Sequence, residues 1–335
     1  MWLHLHVGHG KTGSSFLQSW LALNATRLRD RTDIAYPMRS PISGRGEEAA
    51  ARGRFSMGNG FILEELLKSA DDAVLVGTLR SLAGEARSIL FSRERFMRDL
   101  PAHLPRLAEA AGALGGDGVR VLLFVRDPLE HAVSLYGEMV KAHGCAEPLD
   151  EWLGHYRLLD HVEAFLDAVE ACPTLECTIL NYSRVRDHLV EALTTWLGLD
   201  PTEAWTTPAR GTVNRSLTAL ELRVQRIANR WLGPAAARIG RRLVEELPRE
   251  LVSPLAPSPE AFGRFEVRLR DQVLRLNARL PEGSRYRLDV SATPAESAAT
   301  VTEGPGLGMR GTRIVAAESV AALWARLRGG PTPHR

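Results

Sequence analysis

Near its N-terminus the chain reads Trp2-Leu-His-Leu-His-Val-Gly8-His-Gly-Lys11-Thr-Gly-Ser-Ser15-Phe16. An apolar strand, Trp2 to Val7, leads directly into a glycine-rich turn. A run with helical spacing of apolar residues follows, from Phe16 to Leu28. Strand, glycine loop and helix together bind phosphate, because N–H groups point into the loop and the helix N-terminus carries partial positive charge. Lys11 adds a full positive charge, so this segment predicts an anion site.

The loop nearly fits a Walker A motif, which requires Gly, four residues and then Gly-Lys-Ser/Thr. Gly10, Lys11 and Thr12 supply the second half of that motif. Leu5 stands where the first glycine is required, and Gly8 is too close to replace it. The loop is therefore shorter than an ATPase loop, and it carries additional hydroxyl groups after the lysine.

The segment Gly8 to Ser15 resembles the 5′-phosphosulfate loop of sulfotransferases that use 3′-phosphoadenosine 5′-phosphosulfate (PAPS). The bacterial branch of that family often opens with Gly-x-x-Lys-Thr-Gly-Ser/Thr-Ser/Thr. The resemblance implies that Lys11 is catalytic, that no metal is required, and that 3′-phosphoadenosine 5′-phosphate (PAP) is the product. It implies that the phosphosulfate is bound by Gly10, Lys11, Thr12, Gly13, Ser14 and Ser15. Lys11 is also one of only three lysines in an arginine-rich chain, which favours a specific need for its ammonium group.

A second match follows the strongest predicted strand, Val119 to Val125. Arg126 ends that strand, where open α/β sheets bind ligands, and Ser134 lies about two helical turns further on. This arrangement is similar to the 3′-phosphate signature of sulfotransferases, so the resemblance implies that Arg126 and Ser134 bind the 3′-phosphate of PAPS. The alternative is an ordinary helix cap at Asp127 with a surface pair between Arg126 and Asp127.

Two weaker matches lie further along the chain. Tyr182 follows a short strand at the place where the family often has a tyrosine near the adenine, although simple packing is the alternative. Many bacterial members carry an Asn-x-Ser element before a C-terminal helix, and here Arg210, Asn214 and Arg215 fall at that element. The alternative there is a capping box that begins the following helix, formed by Thr218 and Glu221.

A general base must accept the proton of the sulfate acceptor. Glu94 follows the predicted strand Ser88 to Ser92 and is the first candidate, with a solvated carboxylate as the alternative. His9, inside the loop, is the second, since an unperturbed imidazole titrates at a pH of about 6.5. His4 and His6 share one face of the first strand and are interpreted as structural residues.

Strands alternate with helices as far as Pro201, and the pattern is helical thereafter. This alternation predicts an α/β fold, a parallel β-sheet flanked by helices on both faces. With the resemblance it becomes a P-loop NTPase-like sulfotransferase fold with a helical C-terminal part. Residues 1–216 are predicted to form the PAPS-binding core. Residues 217–335 are predicted to form a helical extension packed on the same domain, with a flexible segment near 292–308.

Composition limits the function classes. The net charge of +2 over 335 residues argues against a nucleic-acid binder that relies on bulk charge. The N-terminus lacks the features of a signal peptide, and no apolar stretch approaches the roughly 20 residues that span a membrane. Three cysteines without metal-site spacing favour a reducing cytoplasm. A homodimer is left open.

The sequence thus predicts a sulfotransferase that moves the sulfuryl group from PAPS to a hydroxyl or amine of a carbohydrate, a glycolipid or a small natural product. Part of the acceptor site is assigned to the segment from Arg39 to Gly60, with Arg52, Arg54 and Asn59. The alternatives are a small-molecule kinase using ATP and Mg²⁺, for which Asp127 is the only tempting acid, and a nucleotide-binding scaffold without chemistry.

Overall fold

The computed structural model describes residues 1–46, 50, 56–69, 71–200, 202–208, 217–246, 255–288, 311, 313–319 and 321. Their contacts divide the chain into two compact units. One comprises residues 1–127, 157–213 and 272–286, and the other comprises residues 128–156, 214–271 and 287–335. The boundary predicted between residues 216 and 217 stays a prediction, and the segment 292–308 lies outside the described residues.

The first unit is built on a five-stranded sheet in which every neighbouring pair is parallel, in the order β2-β3-β1-β4-β5. The strands are β1 (Trp2–Gly8), β2 (Ile34–Ala35), β3 (Ser88–Arg93), β4 (Gly118–Val125) and β5 (Leu175–Asn181). The predicted parallel α/β sheet is therefore confirmed. Strand β1 is central, with Leu5 in register with Phe91 of β3 and Val121 of β4.

Fourteen α-helices lie between residues 14 and 279, and the described residues 313–319 are also helical. In chain order they are α1 (Ser14–Leu23), α2 (Ala25–Thr32), α3 (Gly60–Ser69), α4 (Asp72–Ala83), α5 (Phe96–Asp99), α6 (Leu104–Ala113), α7 (Pro128–Ala142), α8 (Leu149–Trp152), α9 (Leu158–Glu170), α10 (Tyr182–Val185), α11 (Leu189–Leu197), α12 (Ala219–Leu232), α13 (Ala237–Glu246) and α14 (Pro259–Arg279).

Both faces of the central strands are buried, which explains their nearly continuous apolar sequences. Leu122 and Phe124 of β4 join a core cluster that includes Trp20 of α1 and Leu193 of α11. The alternate residues of β4, such as Leu123, are also fully buried. The sheet therefore holds its carboxyl edge rigidly between packed layers.

The helix predicted from Phe16 to Leu28 is two helices in the structure. Asn24 separates them, because its side-chain amide donates hydrogen bonds of 2.8 Å to the carbonyls of both Trp20 and Thr206. Its Oδ1 accepts a hydrogen bond from the N–H group of Thr206. This asparagine ties the first helical segment to a loop 182 residues away, so the local pattern could not reveal the break.

In the second unit, α12 contacts α7 and α13. The predicted capping box begins α12, since Thr218 N–H donates to Glu221 Oε2 and Glu221 N–H donates to Thr218 Oγ1. Asn229 donates from its amide to the carbonyls of Val140 and Cys145, which fastens α12 to the end of α7. Within the part of the chain that the structure describes, none of the helices has the length and apolar character needed to cross a membrane.

Candidate functional site

Four segments predicted to carry chemistry meet at one edge of the sheet. Strands β3, β1, β4 and β5 are consecutive neighbours, and at their carboxyl ends stand Glu94, the loop from Gly8, Arg126 and Tyr182 respectively. Because all four strands are parallel, these ends lie side by side, at the edge where open α/β sheets bind ligands. Segments spread over nearly 180 residues of sequence are thereby brought together.

The loop after β1 is shaped by its own hydroxyl groups. Thr12 Oγ1 donates a hydrogen bond of 2.8 Å to the carbonyl of His9 and lies 3.3 Å from Ser14 Oγ. Both hydroxyl side chains are buried. A Cβ on Gly8 would lie only 2.9 Å from Thr12 Oγ1, so glycine at this position lets the chain close tightly over the threonine.

Helix α1 presents an uncapped N-terminus to this loop. Its N-cap residue is Gly13, with φ at 77°, and glycine has no side chain that could accept a hydrogen bond from the first turn. The first turn also contains no acidic residue. N–H groups at a helix start that lack such a cap carry partial positive charge and suit an anion. The helix start is therefore suited to the anion site that the sequence predicts, and the binding of an anion there stays a prediction.

Lys11 and Arg126 bring two cations to the loop. Lys11 adopts a left-handed backbone conformation, with φ at 69°. Arg126 Nη1 donates a hydrogen bond of 2.8 Å to the Lys11 carbonyl, and the Arg126 guanidinium lies 5.0 Å from the centre of the Tyr182 ring. Arg126 is therefore joined to the loop of β1 and to the end of β5, where cation–π attraction adds to its placement.

Asp127 is not the surface partner of Arg126 that the sequence allows as an alternative. Its buried carboxylate accepts hydrogen bonds from Arg184 Nη1 at 2.8 Å and from Asn181 Nδ2 at 2.9 Å. Its N–H group donates to Ser183 Oγ. The acid that a kinase would need for Mg²⁺ is thus engaged in linking the ends of β4 and β5.

Glu94 is the better placed of the two candidate bases. It lies in the turn after β3, is half-buried, and its Oε2 is 3.4 Å from the position that a Cβ on Gly10 would occupy. The carboxylate therefore stands beside the loop.

His9 also lies in the loop, but its chemistry differs from that of an exposed histidine. Burial, together with the nearby charge of Arg126, lowers the pKa of His9 to about 3, although the hydrogen bond that Nδ1 donates to the Gly10 carbonyl acts in the opposite direction. The ring is neutral at pH 7 and is a weaker base than an unperturbed imidazole.

His4 and His6 are buried on β1, as expected of structural residues. Burial lowers the pKa of His4 to about 3, with the charge of Arg120 adding to the effect, and lowers that of His6 to about 4. His6 Nδ1 shares a hydrogen bond of 2.7 Å with Ser92 Oγ, which ties β1 to β3 just before Glu94.

A pocket of about 500 Å³ opens next to the loop. Its wall includes Gly13, Phe16, Tyr182, Leu189 and Thr207. The ring of Tyr182 and the side chain of Leu189 close on Gly13 so tightly that a Cβ there would lie 3.0 Å and 2.6 Å from them. Much of the remaining wall is polar or charged, formed by Arg186, Asp187, His188 and Glu191. The aromatic ring of Tyr182 is the part of the wall that suits a flat organic base. The sequence identified Tyr182 but not the wall contributed by α11.

Six other predicted site residues lie either in the second unit or outside the described residues. Ser134 is half-buried on α7, in the second unit. Its role stays a prediction. Five others lie outside the described residues: Arg52, Arg54, Arg210, Asn214 and Arg215.

The prediction that Asn59 contacts the acceptor is wrong, because its side chain is fully buried. Its amide donates to the carbonyls of Pro37 and Leu90, and its Oδ1 accepts from Ser92 N–H. Asn59 therefore holds the backbone of β3 at Leu90 and Ser92 through hydrogen bonds.

No model of a protein family matches this chain, and no curated protein sequence does so. Among solved structures, the chain is similar to the sulfotransferase domain from the curacin biosynthetic pathway, with 11% identity and a TM-score of 0.36 over 79% of this chain and 96% of that one. It is also similar to retinol dehydratase in complex with androsterone and the inactive cofactor PAP, with 11% identity and a TM-score of 0.34 over 81% of this chain and 80% of that one. TM-scores below 0.5 do not establish a function, which has to be argued from the site itself.

Proposed function

We propose that this protein is a PAPS-dependent sulfotransferase. The observation that supports this most strongly is the order of groups along one sheet edge: a carboxylate at Glu94, an anion-binding loop at residues 8–15, a guanidinium at Arg126 and an aromatic ring at Tyr182. A donor with two phosphate groups, a sulfuryl group and a base needs two anion sites and an aromatic wall, with a proton acceptor beside the loop.

The loop and α1 hold the 5′-phosphosulfate in this proposal. N–H groups of the first turn face the anion and the lysine ammonium neutralises it, while the buried hydroxyl groups of Thr12 and Ser14 hold the loop in shape. Arg126 binds the 3′-phosphate through its charged N–H groups. The adenine occupies the pocket beside Tyr182 and Leu189.

The reaction is an in-line displacement at sulfur. The acceptor oxygen or nitrogen forms a bond to sulfur while the bond between sulfur and the bridging oxygen of the 5′-phosphate breaks, and PAP leaves with that electron pair. Lys11 stabilises the charge that grows on the bridging oxygen, and Glu94 takes the proton of the acceptor. Because such a transition state is loose, positioning and charge stabilisation supply most of the catalysis. The acceptor in this proposal is a hydroxyl or amine of a carbohydrate, a glycolipid or a small natural product.

Calorimetric titration with PAP in the presence of EDTA, and separately with ATP and Mg²⁺, tests the proposal. We expect PAP to bind without metal and the affinity to fall at least about tenfold in Arg126→Ala, because a charged hydrogen bond to phosphate is lost. Arg120→Ala is the matched control, since Arg120 lies on β4, the strand that Arg126 follows, but pairs with Glu176. Metal-dependent ATP binding without PAP binding would contradict the proposal and favour a kinase.

A further inference from the structure

The outward face of α12 carries an apolar stripe. Leu220 is 37% exposed, Ile227 is 56% exposed and Trp231 is 74% exposed. Separations of seven and four residues place the three on one side of a helix. The opposite side of α12, which includes Leu222, Gln225 and Asn229, is buried. The helix thus has one face in the core of the second unit and a second apolar face directed outward.

The charges on this outward face are all positive. Arg223 and Arg230 are exposed between and beside the apolar residues. The single acidic residue of α12 is Glu221, which is 4% exposed and accepts the N–H of Thr218 in the capping box. Two more arginines, Arg238 and Arg241, are exposed on the next helix. Apolar and aromatic side chains interleaved with arginines are typical of helices that lie in the interface of an anionic membrane.

We propose that this face of α12 binds the surface of an anionic lipid bilayer. Ile227 and Trp231 enter the boundary between headgroups and acyl chains, while Arg223 and Arg230 pair with lipid phosphates. A second copy of the chain is the less suitable occupant, since a two-fold contact would bring Arg223 and Arg230 of both copies into one interface, where this face of α12 offers them no acidic partner. The inference does not depend on the proposed sulfotransferase activity, because it rests on a different surface and a different ligand.

Sedimentation with sucrose-loaded vesicles tests this. The purified protein is mixed at low salt with one of two kinds of vesicle. The neutral vesicles contain phosphatidylcholine alone, and the anionic vesicles contain phosphatidylcholine and phosphatidylglycerol in equal amounts. We expect partition into the anionic vesicles at least about tenfold stronger than into the neutral ones, and weaker partition at high salt. The double variant Ile227→Ser with Trp231→Ser should lower partition into anionic vesicles at least about tenfold, because the buried apolar area is lost.

The matched control is Val267→Ser, an apolar side chain on α14 that is 70% exposed. It should bind vesicles as the unmodified protein does, and thermal unfolding should show that all variants fold. Replacing Arg223 and Arg230 by glutamine should remove most of the salt dependence. Equal binding to both vesicle types, no binding to either, or an equal loss in Val267→Ser would overturn the proposal. So would concentration-dependent dimerisation that the double variant abolishes while vesicle binding is unaffected.

Discussion

Arg126 donates a hydrogen bond of 2.8 Å to the carbonyl of Lys11, across 115 residues of sequence. Lys11 carries the full positive charge of the loop, and its backbone is left-handed, with φ at 69°. A non-glycine residue in this region costs about 1 kcal/mol or more. The bond therefore connects the second cation of the site to the backbone that orients the first.

The strain at Lys11 leads to a prediction that separates the backbone from the ammonium group. Lys11→Ala keeps the Cβ and the strain, whereas Lys11→Gly removes both. We expect Lys11→Gly to have a free energy of unfolding about 1 kcal/mol higher than Lys11→Ala, measured by urea titration. Both variants should bind PAP at least about tenfold more weakly than the unmodified protein. Equal stability of the two variants would show that the left-handed backbone is not strained.

Gly13→Ala should abolish PAP binding. The new Cβ would lie 2.6 Å from Leu189 Cδ1 and 3.0 Å from the Tyr182 ring, at a residue with φ at 77°. Gly198→Ala is the matched control, because Gly198 has φ at 68° but no atom within 4 Å of the added Cβ. Both variants should lose about 1–2 kcal/mol of stability from backbone strain, and Gly13→Ala should lose more because of its contacts. Calorimetry should find PAP affinity lost only at Gly13.

The pair between Asp127 and Arg184 should be important for stability. The Asp127 side chain is only 4% exposed, and removing Arg184 would leave its charge buried with one fewer donor. We expect Arg184→Ala to lower the free energy of unfolding by about 3 kcal/mol or more. Glu176→Gln, which breaks the more exposed pair with Arg120, should cost less than about 1 kcal/mol. Similar costs for the two variants would contradict the structural role of Asp127.

Three buried histidines predict a fold that weakens in mild acid. The folded pKa values of His4, His6 and His9 are lowered to about 3, 4 and 3, below the usual value of 6.5. As the pH falls below 6.5 the unfolded chain takes up protons that the folded chain does not. The contribution of these histidines to the free energy of unfolding is therefore fully present above pH 6.5. It is lost as the pH falls toward 4, by up to about 1.4 kcal/mol per pH unit for each histidine.

The variant His6→Gln tests this, because glutamine can keep a hydrogen bond to Ser92 without titrating. Stability should fall between pH 6 and pH 5 in both proteins, as urea titrations measure it. The fall should be about 1.2 kcal/mol smaller in the variant than in the unmodified protein. An equal fall in the two proteins would mean that His6 is protonated in the folded state.

Glu94→Gln should separate binding from catalysis. The carboxylate lies beside Gly10, so it would repel the phosphates that the loop holds in the proposed function. Replacing it by a neutral amide should leave PAP affinity unchanged or raise it a few-fold, while sulfuryl transfer to any accepted substrate falls by about 10²-fold or more. The measurements are calorimetry and transfer of labelled sulfate. A loss of PAP affinity equal to the loss in turnover would assign Glu94 to nucleotide binding.

Local sequence predicts the elements of this site well and their contacts poorly. The strand, loop and helix at residues 2–23 follow from apolar spacing and glycine placement, and β4 follows from its apolar run. The arrangement of Asp127 could not be foreseen, because its partner Arg184 is 57 residues away and no pattern distinguishes it from other arginines. Asn59 was misassigned for the same reason, since the carbonyls that its amide binds belong to other segments.

Helix α4 shows that the sequence also carries local signals for a helix outside the site. Asp71 accepts the N–H of Val74 at 2.8 Å and so caps the helix, and buried residues at Leu75 and Leu79 have helical spacing. The lowered pKa of His9, in contrast, has no signal in the local sequence. The burial that causes it comes from the layers packed around the loop and not from the neighbours of His9 in sequence.

The central position of β1 has a consequence for synthesis of the chain. Its partners β3 and β4 end at Arg93 and Val125, so neither edge of this apolar strand can pair fully until those residues have left the ribosome. Until then, the loop that follows β1 has no sheet edge on which to form. Strand β1 is thus synthesised before both of its partners and reaches its final state only after them, so chaperones that bind exposed apolar strands can meet it in the interval.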